Sequence, residues 1–117
     1  MEFEDRGFNL MLNNPSDASN NYAIPFDKCT NDEKSLSVNG TLLLETNANR
    51  SYAIFVNNSS IDITLVFGES ANAVKSKGII IKARGGSYEI NQNNLYTGKI
   101  FAIAATNCKI SFVECSY

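Results

Sequence analysis

From Ser35 onward, apolar and polar residues tend to alternate along the chain with a period of two. The clearest example is IDITLVF at 61–67, where apolar side chains occupy every second position. Because successive side chains of a β-strand point to opposite faces, this pattern predicts a strand with one buried face. The preceding run SYAIFVNN at 51–58 is rich in aromatic and β-branched residues. With polar turn residues between them, the two runs predict a β-hairpin over residues 51–67.

Five further segments have strand-like composition and are separated by stretches rich in Gly, Asn and Ser. They are SLSVNGTLLLE at 35–45, GIIIKA at 78–83, GSYEI at 86–90, KIFAIAA at 99–105 and KISFVE at 109–114. Short strands at such regular spacing favour an antiparallel sandwich or a closed barrel. We therefore predict an all-β domain over residues 35–117, an antiparallel β-sandwich of about seven strands of jelly-roll-like or Ig-like type. The one helical candidate, 69–77, is long enough for only one or two turns.

The segment GGSYEINQNNLYTGKIFAIA at 85–104 predicts a second hairpin. Its leading glycines are expected to supply positive φ in a tight turn rather than to cradle a phosphate, because they precede a strand and not a helix. Leu95 and Tyr96 are expected to close one end of the core. The alternation also predicts the buried set of the whole sandwich: Ile54, Val56, Ile63, Leu65, Phe67, Ile80, Tyr88, Ile103 and Phe112.

The first 34 residues follow neither a strand period nor a helix period. They contain Asn-rich polar runs, both prolines and scattered apolar side chains. Since these apolar residues are too many for a purely solvated tail, we predict an extended N-terminal arm, residues 1–34, that packs on the sandwich or on another chain; an ordered edge strand is the alternative. The predicted partner-binding residues of the arm are Phe3, Phe8, Leu10, Leu12, Tyr22, Ile24 and Phe26.

Charge is distributed unevenly along the chain, whose net charge is −2. Residues 1–34 carry seven acidic and three basic side chains, and the remainder carries five acidic and seven basic ones. A basic surface for nucleic acid is therefore not expected. The acidic start MEFEDRGF does not resemble a signal peptide, and no apolar run reaches the roughly 20 residues of a membrane helix. We expect a soluble, unsecreted protein with no nucleic-acid or membrane partner.

Candidate chemistry is sparse. The chain has no histidine, which removes the commonest general base and metal ligand, and the acidic residues of the strand region occur singly. The three cysteines, Cys29, Cys108 and Cys115, lack CxxC spacing and predict reduced, buried thiols rather than a disulfide framework or a zinc site. We predict no catalytic residue, no metal site, no cofactor and no enzymatic activity.

The order of the segments resembles a known group of proteins. NRSYAIFVNNSS leads to a strand ending at Phe67-Gly68, followed by KGIIIKARGGSYEI, NLYTGKIFAIA and KISFVE. Over about residues 49–114 this series is similar to small β-sandwich virion proteins of tailed bacteriophages, particularly those that coat or cement capsids.

That resemblance implies a non-enzymatic cement or decoration protein that is made in the host cytoplasm and lies on the capsid surface of the virion. Its partner would be the major capsid protein, whose neighbouring subunits it would bridge, and a homo-oligomer, a trimer in particular, would suit local threefold positions. Two alternatives remain open. One is a tail or baseplate adaptor of the same fold, and the other is a carbohydrate-binding sandwich that stacks sugars on Tyr52, Tyr88, Tyr96 and Tyr117.

Overall fold

The computed structural model describes residues 26–68 and 73–117, and all of its regular elements are β-strands. The alternating segments form strands because their branched and aromatic side chains pack well on a pleated surface. The strands are β1 (Lys28–Leu36), β2 (Thr41–Leu44), β3 (Arg50–Asn57), β4 (Ile63–Phe67), β5 (Ile79–Ile81), β6 (Gly86–Ile90), β7 (Ile100–Ala104) and β8 (Cys108–Ser116).

The strands form two antiparallel sheets of four. Sheet 1 has the order β1-β8-β3-β6 and sheet 2 the order β2-β7-β4-β5. The all-β prediction is confirmed, but the count of about seven strands is one too low, because β1 joins sheet 1 along the edge of β8. Residues 28–34 of the predicted arm thus belong to a strand, whereas residues 1–25 lie outside the described part of the chain. Residues 73–77 of the helical candidate form turns and a short bridge between Val74 and Lys77.

Both predicted hairpins are wrong. β3 lies in sheet 1 and β4 in sheet 2, so the run 51–67 passes from one sheet to the other. β6 and β7 are divided in the same way. A polar connection supplies turn chemistry equally well to a hairpin and to an arch between sheets, so local sequence did not distinguish them. Only β4 and β5 are consecutive strands that pair with each other.

The arch between β3 and β4 is organised by the amide of Asn57, which is fully buried. Its Nδ2 donates hydrogen bonds to the carbonyl oxygens of Ile61 (2.8 Å) and Ile81 (2.9 Å). Its Oδ1 accepts from the backbone N–H and the hydroxyl of Ser59, at 2.9 and 2.6 Å. A buried amide with its hydrogen bonds satisfied fixes the crossing between the sheets at this end of the fold.

The connection between β5 and β6 also departs from the predicted glycine turn. Positive φ falls on Arg84 (63°) and Gly85 (107°). Gly86 serves a different purpose, because a Cβ there would lie 2.4 Å from the carbonyl oxygen of Lys82. One glycine therefore provides backbone conformation and the next permits close approach of two backbone segments.

The inward faces of both sheets form one hydrophobic cluster that includes Phe55, Ile63, Leu65, Ile90 and Ile110. Of the nine residues predicted to be inside, Ile63, Leu65 and Phe112 are buried in this cluster, and Phe67 and Tyr88 are half-buried against it. Ile103 is also buried, but on the outward face of sheet 2. The prediction fails on β3 and β5 by one residue, which reverses the two faces of a strand.

On β3, Ala53 and Phe55 face inward, so Ile54 and Val56 are only half-buried. On β5, Ile81 faces inward and Ile80 remains 46% exposed. At the predicted core plug, Tyr96 stacks on Phe67 with ring centroids 4.5 Å apart, but Leu95 is exposed. Apolar residues on both faces of a short strand leave its orientation ambiguous in sequence.

Leu65 should be a strong determinant of stability because its side chain is fully buried in the shared cluster. Replacement by Ala should reduce the free energy of unfolding by about 3 kcal/mol, through lost burial and the cavity left behind. Urea denaturation of Leu65→Ala against the parent chain measures this. The exposed Val38→Ala, at 61% exposure, is the control and should change stability little; equal effects at the two positions would contradict the assigned core.

The cysteines also differ from the prediction. Cys29 on β1 and Cys115 on β8 are directly opposite each other in the antiparallel register and form a disulfide. Cys108 is a half-buried free thiol. The prediction of three reduced thiols is therefore wrong, because it placed Cys29 in an arm outside the sheet. The spacing of the cysteines along the chain, 86 residues for this pair, carries no information about a cross-strand pairing.

Candidate interaction surface

The outward face of sheet 1 carries an apolar strip that the core does not require. Tyr52, Ile54 and Val56 alternate with the inward residues of β3, and Val113 lies opposite Ile54 on β8. All four side chains are half-buried. The solvated face of an antiparallel sheet is usually polar, so we call Tyr52, Ile54, Val56 and Val113 the outer stripe and treat it as the candidate site.

The corresponding face of sheet 2 is covered. Its apolar cluster of Val66, Phe101 and Ile103 is only 5 to 7% exposed, with Ala73 of the β4–β5 connection packed against it. That connection is the one that returns to its own sheet, whereas those between the other consecutive strands cross between sheets. The topology thus places a connection over the outside of sheet 2 and none over the outer stripe of sheet 1.

Phe26 contacts the outer stripe through its ring. Its ring stacks on Tyr52, with centroids 5.9 Å apart and an interplanar angle of 10°. β1 is the edge strand and β3 is the second strand inward from it, so the Phe26 ring stacks on a side chain whose strand lies roughly 10 Å from β1, at about 4.8 Å between strands. Phe26 therefore covers part of the outer stripe at Tyr52.

Tyr52 is held in place by a polar contact across the sheet. Its hydroxyl donates a hydrogen bond to Oε2 of Glu89 on β6, at 2.6 Å. This bond holds the pKa of the Tyr52 phenol above its ordinary value of 10.0, and partial burial and the negative charge of Glu89 act in the same direction. The stripe thus ends in an amphipathic residue with a fixed orientation, which is typical of protein-binding surfaces.

The raised pKa has a testable pH dependence. The stabilisation from the neutral Tyr52 phenol is fully present below the unfolded-state pKa, near 10.0, and is lost as pH rises through the higher folded-state pKa. The ultraviolet absorbance of tyrosinate, measured for the parent chain minus Tyr52→Phe, should titrate above pH 10.0. In Glu89→Gln the midpoint should fall, because the charge is gone. A parent midpoint at or below the ordinary tyrosine value would contradict the bonded geometry.

Polar and charged residues lie on the strands beside the stripe. On the β1 side, Glu33 accepts a hydrogen bond from Nζ of Lys109 at 3.2 Å, and both side chains are more than half exposed. Asn31 lies opposite Val113, and Ser87 lies opposite Val56. An apolar centre with a polar rim is the usual composition of a protein–protein contact surface.

The structure brings one predicted partner-binding residue to the stripe. Phe26 is 41% exposed and stacks on Tyr52. The other predicted contacts lie outside the described residues: Phe3, Phe8, Leu10, Leu12, Tyr22 and Ile24. Ile54 and Val56 were assigned to the core from sequence, and Glu89 was taken as a solvated face residue. The available signal was the apolar character of both faces of β3, which exceeds what one buried face requires.

The four tyrosines of the sugar-binding alternative do not form a common platform. Tyr88 and Tyr96 are packed against the core, each with its ring against Phe67. Tyr52 is stacked under Phe26. Tyr117, at 46% exposure, is the most accessible of the four. Three of the four rings are thus engaged in packing within the protein.

Within residues 26–68 and 73–117, no cluster of three or more Cys, Asp or Glu side chains has the geometry to hold a metal ion. The same part of the chain contains no helix long and apolar enough to span a membrane. Comparison of the sequence with protein-family models and with curated proteins finds no match, and comparison with solved structures finds none either.

Proposed function

We propose that this chain is a non-enzymatic structural protein of a virion, which binds the capsid lattice as a decoration or cement protein. The proposal combines the resemblance in the order of its strand segments with the outer stripe and with Phe26, which stacks on the stripe at Tyr52. In this role Phe26 and the remaining apolar residues of the arm contact neighbouring major capsid subunits. The protein acts by bridging them, not by a reaction.

The fold is consistent with this role. We infer a jelly-roll sandwich, because the order 1-8-3-6 in one sheet and 2-7-4-5 in the other is that of an eight-stranded double Greek key. This architecture occurs in viral capsid domains and also in lectins and enzymes. The fold alone therefore does not identify the function, which is inferred from the outer stripe and Phe26.

The observation that carries the proposal is the convergence of Phe26 and the outer stripe. Phe26 adds contact area where an apolar surface with a polar rim already exists, so Phe26 and the outer stripe form one continuous contact surface. A single copy of this contact surface is expected to bind weakly. Repeated on a symmetric lattice, and through a homo-oligomer such as a trimer, such contacts give high avidity.

A direct location of the protein tests the proposal. Cryo-electron microscopy of intact particles of the virus that encodes the chain should show its sandwich on the capsid exterior, between major capsid subunits. Density on the tail or baseplate would replace the cement role with that of an adaptor of the same fold. Particles from which the protein is absent would refute a virion role altogether.

The stripe itself can be tested by one substitution. Ile54→Glu places a charge at the centre of the outer stripe, where a partner would exclude water, so co-sedimentation with particles lacking the native protein should fall at least about tenfold. Melting should fall only modestly: Ile54 faces outward, but the new carboxylate lies opposite Glu89 on β6. Ile80→Glu is the matched control, since Ile80 is an exposed isoleucine on the outside of sheet 2. Equal binding by both variants would exclude the stripe as the contact.

A further inference from the structure

β1 is attached to the sandwich mainly along one edge. Of its nine residues only Leu36 is buried, and six of the others in succession from Lys28 are exposed. Its inward-facing positions Thr30 and Asp32 are also exposed. A strand with so little buried apolar surface depends on its hydrogen bonds to β8 and on a few side-chain ties.

Those ties differ in strength. Nζ of Lys34 donates to the carbonyl oxygen of Leu42 at 3.0 Å in a partly buried hydrogen bond, whereas the Glu33–Lys109 ion pair is exposed and therefore weak. The covalent tie between Cys29 and Cys115 lies at the opposite end of β1 from the buried Leu36. Leu36 and the disulfide therefore hold the two ends of β1.

The disulfide also lies next to the contact between Phe26 and Tyr52. Cys115 is in register with Cys29 on one side and with Tyr52 on the other. Phe26, three positions before Cys29, stacks on that tyrosine. Breaking the Cys29–Cys115 bond would leave the first half of β1 and the Phe26 contact without a covalent anchor.

We propose that the Cys29–Cys115 disulfide is a redox-sensitive latch, whose reduction releases the N-terminal half of β1 from β8 while the rest of the sandwich stays folded. The inference concerns the fold and does not depend on the virion role. The chemical partner is a small thiol reductant, which can reach the bond because Cys29 is exposed while Cys115 is only 3% exposed.

The reaction is thiol–disulfide exchange. A thiolate of the reductant attacks Sγ of Cys29, the bond between the two sulfurs breaks, and Cys115 leaves as a thiolate that takes a proton from water. A second thiolate then displaces Cys29 from the mixed disulfide. The protein gains two electrons and two protons, and the reductant leaves as its own disulfide.

Hydrogen–deuterium exchange of the full-length chain, followed by mass spectrometry, tests the latch. Cys108→Ser serves as the parent, so that the free thiol takes no part. Full reduction by dithiothreitol, checked by thiol titration, should accelerate exchange in peptides covering 28–33 by about tenfold or more, while peptides of β3 and β7 change by less than about twofold. The double variant Cys29→Ser/Cys108→Ser should exchange like the reduced parent with or without dithiothreitol.

Three results would overturn the latch. Unchanged protection of β1 after complete reduction would show that hydrogen bonds alone hold the strand. Equal acceleration in every strand would show that the disulfide stabilises the whole fold and not one element. A bond that dithiothreitol reduces only after denaturation would show that Cys29 is inaccessible to thiols.

Discussion

Replacing Arg50 with Ala should cost about 3 to 5 kcal/mol of unfolding free energy, a large part of the 5 to 15 kcal/mol that stabilises a typical domain. Arg50 is fully buried at the start of β3. Its Nε donates to Oε2 of Glu114 at 2.8 Å, and Nη2 donates to the carbonyl oxygen of Glu45 at 2.7 Å. Nη1 donates to the carbonyl oxygens of Tyr96 and Gly98 at 2.8 and 3.0 Å.

The loss is large because the side chain ties three parts of the chain together. Glu45 lies in the β2–β3 connection, Tyr96 and Gly98 lie in the β6–β7 connection, and Glu114 belongs to β8. Removing the guanidinium leaves three carbonyl oxygens and one carboxylate without their donor, and each group that stays buried and unsatisfied carries a desolvation cost. The same end of the sandwich holds Asn47, which donates to Glu114 at 3.2 Å.

Urea denaturation of Arg50→Ala under oxidising conditions measures this cost. Lys109→Ala is the control, because it also removes a cation from an ion pair, but an exposed one, and should change stability by less than about 1 kcal/mol. Arg50→Ala combined with Glu114→Gln should lose less than the sum of the single changes, since the unpaired charge is then gone. A loss below about 1 kcal/mol for Arg50→Ala would show that water replaces the network.

Arg50 also illustrates what the sequence conceals. It lies directly before SYAIFVNN, at a strand end where an arginine is ordinarily solvated. Its partners are distant in the chain, up to 64 residues away for Glu114. Burial of the charge depends on two connections converging over it, which is a property of the topology and not of any local pattern.

The strand segments from residue 41 onward were predictable because alternation and β-branched composition act locally. Which strands pair was not predictable, since β3 and β4 are joined by a turn suited to a hairpin yet lie in different sheets. Orientation was readable on β4, where polar Asp62 and Thr64 define one face. It was not readable on β3 or β5, whose apolar residues occupy both faces.

The same ambiguity concealed the candidate site. Ile54 and Val56 look like core residues in sequence. They face outward because Phe55, between them, faces inward opposite Phe112. β1 was missed because KCTNDEKSL has almost no apolar residues, as suits an edge strand that discourages pairing with other chains. The disulfide was missed with it, since its position depends on the register of β1 against β8.

The fold changes which residues should be deleted to test the predicted arm. A deletion of residues 1–34 would remove most of β1 and Cys29, so any loss of binding could reflect an unfolded edge. A deletion of residues 1–25 retains β1, the disulfide and the Phe26–Tyr52 stack. It removes six of the seven predicted partner contacts, those from Phe3 to Ile24.

If the proposed virion role holds, deletion of residues 1–25 should lower co-sedimentation with particles that lack the native protein by about 10²- to 10⁴-fold, because the loss of an arm contact is multiplied over copies bound together on the lattice. The melting temperature should stay close to that of the full chain. The matched control is Val38→Ser in the full chain, which removes an exposed apolar side chain at the opposite end of the sandwich and should leave binding unchanged.

The possible outcomes distinguish a contact made by the arm from a contact made by the outer stripe. Full particle binding by the truncated protein, with Ile54→Glu still impaired, would assign the contact to the outer stripe alone and refute the arm. A collapsed melting transition would show that residues 1–25 contribute to the core, and the division of the chain into arm and sandwich would be wrong. Loss of binding with an unchanged melting curve is the result expected of an arm that contacts a neighbouring subunit, since the described strands and their shared cluster lie entirely within the retained residues.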